Sequence, residues 1–84
     1  MTTVYIVSDP LGISEAFLTF EEGKEKFEKL IAACRQSQKG NPTFRCHFDT
    51  VNENGFYLKQ FKSRYKNSQG FWTNEVYAFQ KAQL

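Results

Sequence analysis

The 84-residue chain holds only two cysteines, two prolines and one histidine. Cys34 and Cys46 have neither the C-x-x-C spacing of a redox or zinc motif nor the density of a secreted disulfide scaffold. A reducing, cytoplasmic environment is therefore expected. A Cys34–Cys46 bridge is conceivable if both face the core, and two free buried thiols are favoured over it. His47 adjoins Cys46, but neighbouring strand residues point to opposite faces, so the two share neither a metal nor a proton. No stretch approaches the ~18 apolar residues a membrane span needs. The start, MTTVYIVSD, lacks the basic region of a signal peptide. Neither a P-loop nor a G-x-G-x-x-G occurs. Ser8 and Ser14 have no base to activate them. Asp49 and Glu53 have no third acid, and Asp9 in SDPLG is explained by a turn. A non-enzymatic protein without cofactors or metal is expected.

Charge of one sign is scarce too. The net charge is +2, with five basic and six acidic residues in 1–40 and six against three in 41–84. This mild basic excess in the second half fits an anionic partner without demanding one.

Large aromatic side chains are abundant: nine Phe, four Tyr and one Trp. They suit a small core, because each buries much area. Val4–Ser8 reads as a strand ended by Asp9-Pro10 and Gly12. Ala16–Phe20 is either a short strand or the approach to a helix. Thr19 and Glu22 fit a capping box. Phe20, Gly23, Phe27, Leu30, Ile31 and Cys34 then follow at helical spacing, with Glu22–Lys26 and Glu25–Lys29 as acid-first pairs on the outside. Gly23, unfavourable inside a helix, implies a close approach to a strand. Gly40 and Pro42 end the helix.

The period then changes from 3.6 to 2. Phe44, Cys46 and Phe48 alternate with Arg45, His47 and Asp49. Asn54-Gly55 is the preferred two-residue hairpin turn, and a strand follows from Phe56 to about Tyr65. After KNSQG, Phe71–Lys81 is expected as a strand rather than a helix capped by Asn74. No linker divides residues 1–84. The expected fold is a single α+β domain, an antiparallel β-(β)-α-β-β-β sheet with one amphipathic helix on one face.

Registers follow from the turns. Centring on Asn54-Gly55 pairs Val51 with Leu58, Phe48 with Phe61 and Arg45 with Arg64. Phe44, Cys46, Phe48, Phe61 and Tyr65 then lie on the core face. Centring the next turn on Ser68-Gln69 pairs Tyr65 with Trp72, Phe61 with Val76, Lys62 with Glu75 and Leu58 with Phe79. That leaves an open face with a basic end, Arg45 and Arg64, and an apolar end, Val51, Leu58, Tyr77 and Phe79.

Such a patch bordered by charge has the anatomy of an interface. The expected function is a small binding module acting on a larger protein, or on a second copy of itself, as a regulator or inhibitor. Its contact residues are Val51, Leu58, Tyr77, Phe79, Arg45 and Arg64. The alternative is single-stranded nucleic-acid binding through Arg45, Tyr57, Lys59, Lys62, Arg64 and Lys66. The opening VYIV strand with FEEGKEKF resembles the starts of many small bacterial and phage domains. The resemblance names no family and transfers no functional residue.

Overall fold

The computed structural model describes residues 1–84. The elements are β1 (Thr3–Ser8), β2 (Ser14–Phe17), α1 (Phe20–Ser37), β3 (Arg45–Glu53), β4 (Phe56–Lys66) and β5 (Trp72–Gln83). All five strands form one antiparallel sheet in the order β2-β1-β5-β4-β3. The α+β expectation holds, and the last segment is a strand. No helix is long and apolar enough to cross a membrane.

The first turn of α1 is held by Thr19. Its hydroxyl oxygen accepts from the Glu22 amide at 3.2 Å and its proton goes to Glu22 Oε1 at 2.9 Å. Glu25–Lys29 forms the expected i,i+4 pair at 3.2 Å, whereas Lys26 reaches across to Glu15 on β2. The helix packs on β1, β5 and β2. A helix is about 10 Å wide, and strands lie roughly 4.8 Å apart. One helix therefore covers only about half of a five-stranded sheet, and β3 lies beyond it. Cys46 and Phe48 face the helix side as expected, but they stay exposed instead of joining the core. Both cysteines are free thiols, Cys34 buried and Cys46 exposed.

The core joins Phe27, Ile31 and Cys34 of α1 to Val7, Phe61 and Phe79. Phe79 is its hub. Its ring lies 5.2–6.3 Å from those of Tyr5, Phe20, Phe27 and Tyr57.

The β3–β4 register is the one expected, from Arg45 opposite Arg64 to Glu53 opposite Phe56. Asn54 and Gly55 both have positive φ, +54° and +77°, as a type I′ turn requires. The β4–β5 register is offset by one residue from expectation: Phe61 opposes Tyr77, Lys59 opposes Phe79 and Lys62 opposes Val76. The cause is the loop. Asn67 pairs with Phe71, the Gly70 amide closes a turn onto the Asn67 carbonyl, and Gly70 has φ +84°. This is a three-residue loop with a left-handed glycine, one residue longer than a turn centred on Ser68-Gln69. Asn67 braces it, its Oδ1 accepting from the amides of Gln69 and Phe71.

An offset of one exchanges the faces of β5. Tyr77 and Phe79, expected on the open face, lie beneath the helix. Val76 and Trp72, expected in the core, are exposed on the other side. Glu75 turns to the helix side, where it accepts a hydrogen bond from the Tyr65 hydroxyl at 3.1 Å. Lys62, expected opposite Glu75, binds Asp49 at 2.8 Å instead.

Burial holds the phenols of Tyr57, Tyr65 and Tyr77 above the ordinary tyrosine value of 10.0. The Glu75 carboxylate adds to this for Tyr65, and the Cys34 thiol for Tyr77. A group whose folded pKa is raised stabilises the fold below its unfolded pKa, and that stability is lost as the pH rises. The melting temperature should therefore fall above about pH 10, where an unfolded tyrosine ionises. Tyrosinate absorbance from these three side chains should appear at higher pH than that of an unfolded tyrosine. Ionisation of all three near pH 10 with the fold intact would contradict their burial.

Candidate functional site

The six residues expected at a protein interface are not brought together. Tyr77 and Phe79 are removed to the helix side of the sheet. Val51 and Leu58 remain neighbours on the open face, as do Arg45 and Arg64 at the other end of the hairpin. The six residues expected to bind nucleic acid are divided between the faces. Tyr57 packs edge-on against Phe20 and Phe79 at ring distances of 5.6 Å, and Lys59 lies on the same helix side. Arg45, Lys62, Arg64 and Lys66 remain on the open face.

What sequence reasoning missed is the condition of β3. It is an outer strand nine residues long, and every one of its residues is exposed. Its hydrogen-bonding pattern follows from the turn. A two-residue hairpin closes on a pair that exchanges both hydrogen bonds, here Glu53 and Phe56. Paired and unpaired positions then alternate. Residues 45, 47, 49, 51 and 53 turn their N–H and C=O groups toward β4, whereas 46, 48, 50 and 52 turn theirs outward. The free edge thus offers four amides and four carbonyls to another strand.

Beside this edge, between β3 and the C-terminal half of α1, runs a groove of about 530 Å³. Phe27, Ile31, Ala32 and Phe48 supply its apolar lining, and Arg35, Lys39, Lys59 and Glu28 its charged rim. Phe48 is 43% exposed. The Lys59 ammonium lies 4.9 Å from the centre of its ring, and the Arg35 guanidinium 5.9 Å from it. The groove exists because one helix is too narrow to reach β3. A sequence pattern shows which face a side chain takes but not how far the covering helix extends.

The opposite face is polar near β3. Asp49 accepts from Lys62 and lies 3.5 Å from His47 Nε2. The Lys62 hydrogen bond holds its carboxyl below the ordinary aspartate value. Further along, Trp72 is 48% exposed, with the Arg64 guanidinium 4.2 Å and the Lys66 ammonium 5.3 Å from its ring. Arg45 is turned back onto the carbonyls of Pro42 and Phe44, which keeps it off Arg64. No three His, Cys, Asp or Glu side chains converge as a metal site would need. Comparison with family models, with curated proteins and with solved structures returns no significant match.

Proposed function

We propose that the protein is a small non-enzymatic binding module, a regulator or inhibitor, that acts by accepting a strand of another polypeptide along β3. The observation that carries this reading is a nine-residue outer strand exposed on both sides. Proteins ordinarily protect such an edge with charged side chains, a covering loop, a proline or a bulge. β3 contains no proline, and its register with β4 runs without a bulge. Its charged residues, Arg45, Asp49 and Glu53, all lie on the open face, which leaves the helix side of the edge without a charge of its own. An added strand obtains its hydrogen bonds from residues 46, 48, 50 and 52. Its side chains gain contacts on both sides, with Phe48 and the groove beneath and Val51 beside Leu58 above.

Proline at position 50 tests this. It removes an outward N–H but none of the bonds to β4, and edge strands tolerate proline there. Thr50→Pro should keep its circular dichroism spectrum and lose the captured partner. Lys24→Glu, on the solvent side of α1, should keep both. Unchanged capture by a folded Thr50→Pro protein would exclude strand addition at β3.

Single-stranded nucleic acid is the second reading, favoured by the exposed Trp72 between Arg64 and Lys66. Base stacking on such a ring contributes about 1–3 kcal/mol. This reading requires salt-dependent oligonucleotide binding that Trp72→Ala abolishes and Thr50→Pro does not.

A further inference from the structure

We infer that the strand accepted by β3 is β3 of a second copy of this chain, paired antiparallel about a two-fold axis through Phe48. The inference rests on the edge-strand reading above and names the occupant of that edge.

The hydrogen-bonding pattern restricts the registers. Residues with outward amides must face one another, so Phe48 opposite Phe48 and Cys46 opposite Thr50 form one allowed set. In this register the two half-exposed Phe48 rings meet across the axis on the helix side. Paired aromatic rings attract one another beyond the area they bury. On the open side His47 comes opposite Asp49 of the second copy, twice, and Arg45 opposite Val51. Neighbouring registers separate the rings. An axis through Asp49 sets Phe48 against Thr50 and brings two carboxylates face to face, which is unfavourable. One through His47 pairs Arg45 with Asp49 on the open side but sets Phe48 against Cys46. An axis through Thr50 places each Phe48 against Asn52. The Phe48 axis joins the two rings and sets no like charges opposite each other.

A folded monomer of 9.8 kDa is expected to expose about 5,200 Å², whereas this chain exposes 5821 Å². The molecule is correspondingly long, 47 × 21 × 18 Å, for so short a chain. Pairing through β3 makes a ten-stranded sheet with both helices on one face, and the two grooves merge into a trough floored by the two Phe48 rings.

Sedimentation equilibrium and a cysteine pair test the inference together. The wild-type protein should sediment at twice 9.8 kDa, and Phe48→Asp should weaken the dimer at least tenfold while remaining folded. In the Thr50→Cys variant the new thiol faces Cys46 of the other copy, at the roughly 5.5 Å Cα spacing of a hydrogen-bonded pair, which suits a disulfide. Mild oxidation should therefore yield a covalent dimer. Within one chain, positions 46 and 50 are four residues apart along a strand and cannot be joined, and Cys34 is buried. Oxidised wild-type protein should stay unlinked, because the two Cys46 residues are also four strand positions apart. A monomer throughout the micromolar range, or efficient Cys46–Cys46 linkage in the wild type, would overturn the inference. If the chain is monomeric while Thr50→Pro still abolishes capture of a different protein, the second copy is wrong and strand addition stands. If Thr50→Pro also changes nothing, both fall.

Discussion

Phe79→Ala should lower the melting temperature by roughly 12–40 °C, whereas Val76→Ala three positions earlier should shift it by only a few degrees. Phe79 is 1% exposed and touches four other aromatic rings around the foot of α1. Truncating a buried phenylalanine to alanine costs about 3–5 kcal/mol. Each kcal/mol corresponds to about 4–8 °C in a domain of 60–100 residues. A chain of this length has on the order of 4–13 kcal/mol of stability in all. The variant therefore loses a large share of it and is partly unfolded at 37 °C if the total is at the low end. Val76 stands 41% exposed on the opposite face and gives up little burial. Thermal denaturation followed by circular dichroism separates the two variants. The comparison is also a register test, because an offset of one residue in β5 exchanges the two results.

Gly23→Leu should be the second large effect, with Gly23→Ala smaller but of the same sign. Alanine ordinarily stabilises a helix by about 1 kcal/mol over glycine. Here a β-carbon at position 23 would stand 2.7 Å from Phe79 Cε1 and 3.2 Å from Tyr5 Cβ. The Phe79 ring is packed on all sides and has little room to withdraw. Overpacking a dense core costs typically 1–3 kcal/mol, which equals or exceeds the helical gain. Leucine extends the same collision by three further carbon atoms, and its equilibrium unfolding midpoint should drop well below that of alanine. A Gly23→Ala protein more stable than the wild type would show that α1 stands further from the sheet.

The capped helix and the β3–β4 hairpin were legible because their local chemistry is specific. Thr19 with Glu22 starts a helix in the expected place, and Asn54-Gly55 has few conformations other than a type I′ turn. The burial pattern of Phe48 and Phe61 agreed with that turn, so two independent signals gave one register. KNSQG carries no such signature. Counted as a two-residue turn it makes Gly70 the start of the strand, whereas the glycine serves the loop with its left-handed backbone. That single residue moved Tyr77 and Phe79 out of the candidate interface and Trp72 into solvent. The edge character of β3 was illegible for a different reason. Strand order and the width covered by one helix are properties of the assembled sheet, and alternation along a strand is the same whether or not a helix lies above it.

The central strand of the sheet, β5, pairs with β1, the strand most distant from it in sequence: Thr3 pairs with Gln83, and Ser8 with Ala78. While this chain is being synthesised, β1 and the β3–β4 hairpin have nothing between them until residues 72–83 leave the ribosome. Contacts across so long a loop cost entropy before they return any stability, so the sheet is expected to form late and slowly. Until then α1 has little to cover beyond the β1–β2 hairpin, and Phe20 and Phe27 lack the ring that ties them together. Nascent chains at this stage are the ones a chaperone would be expected to meet.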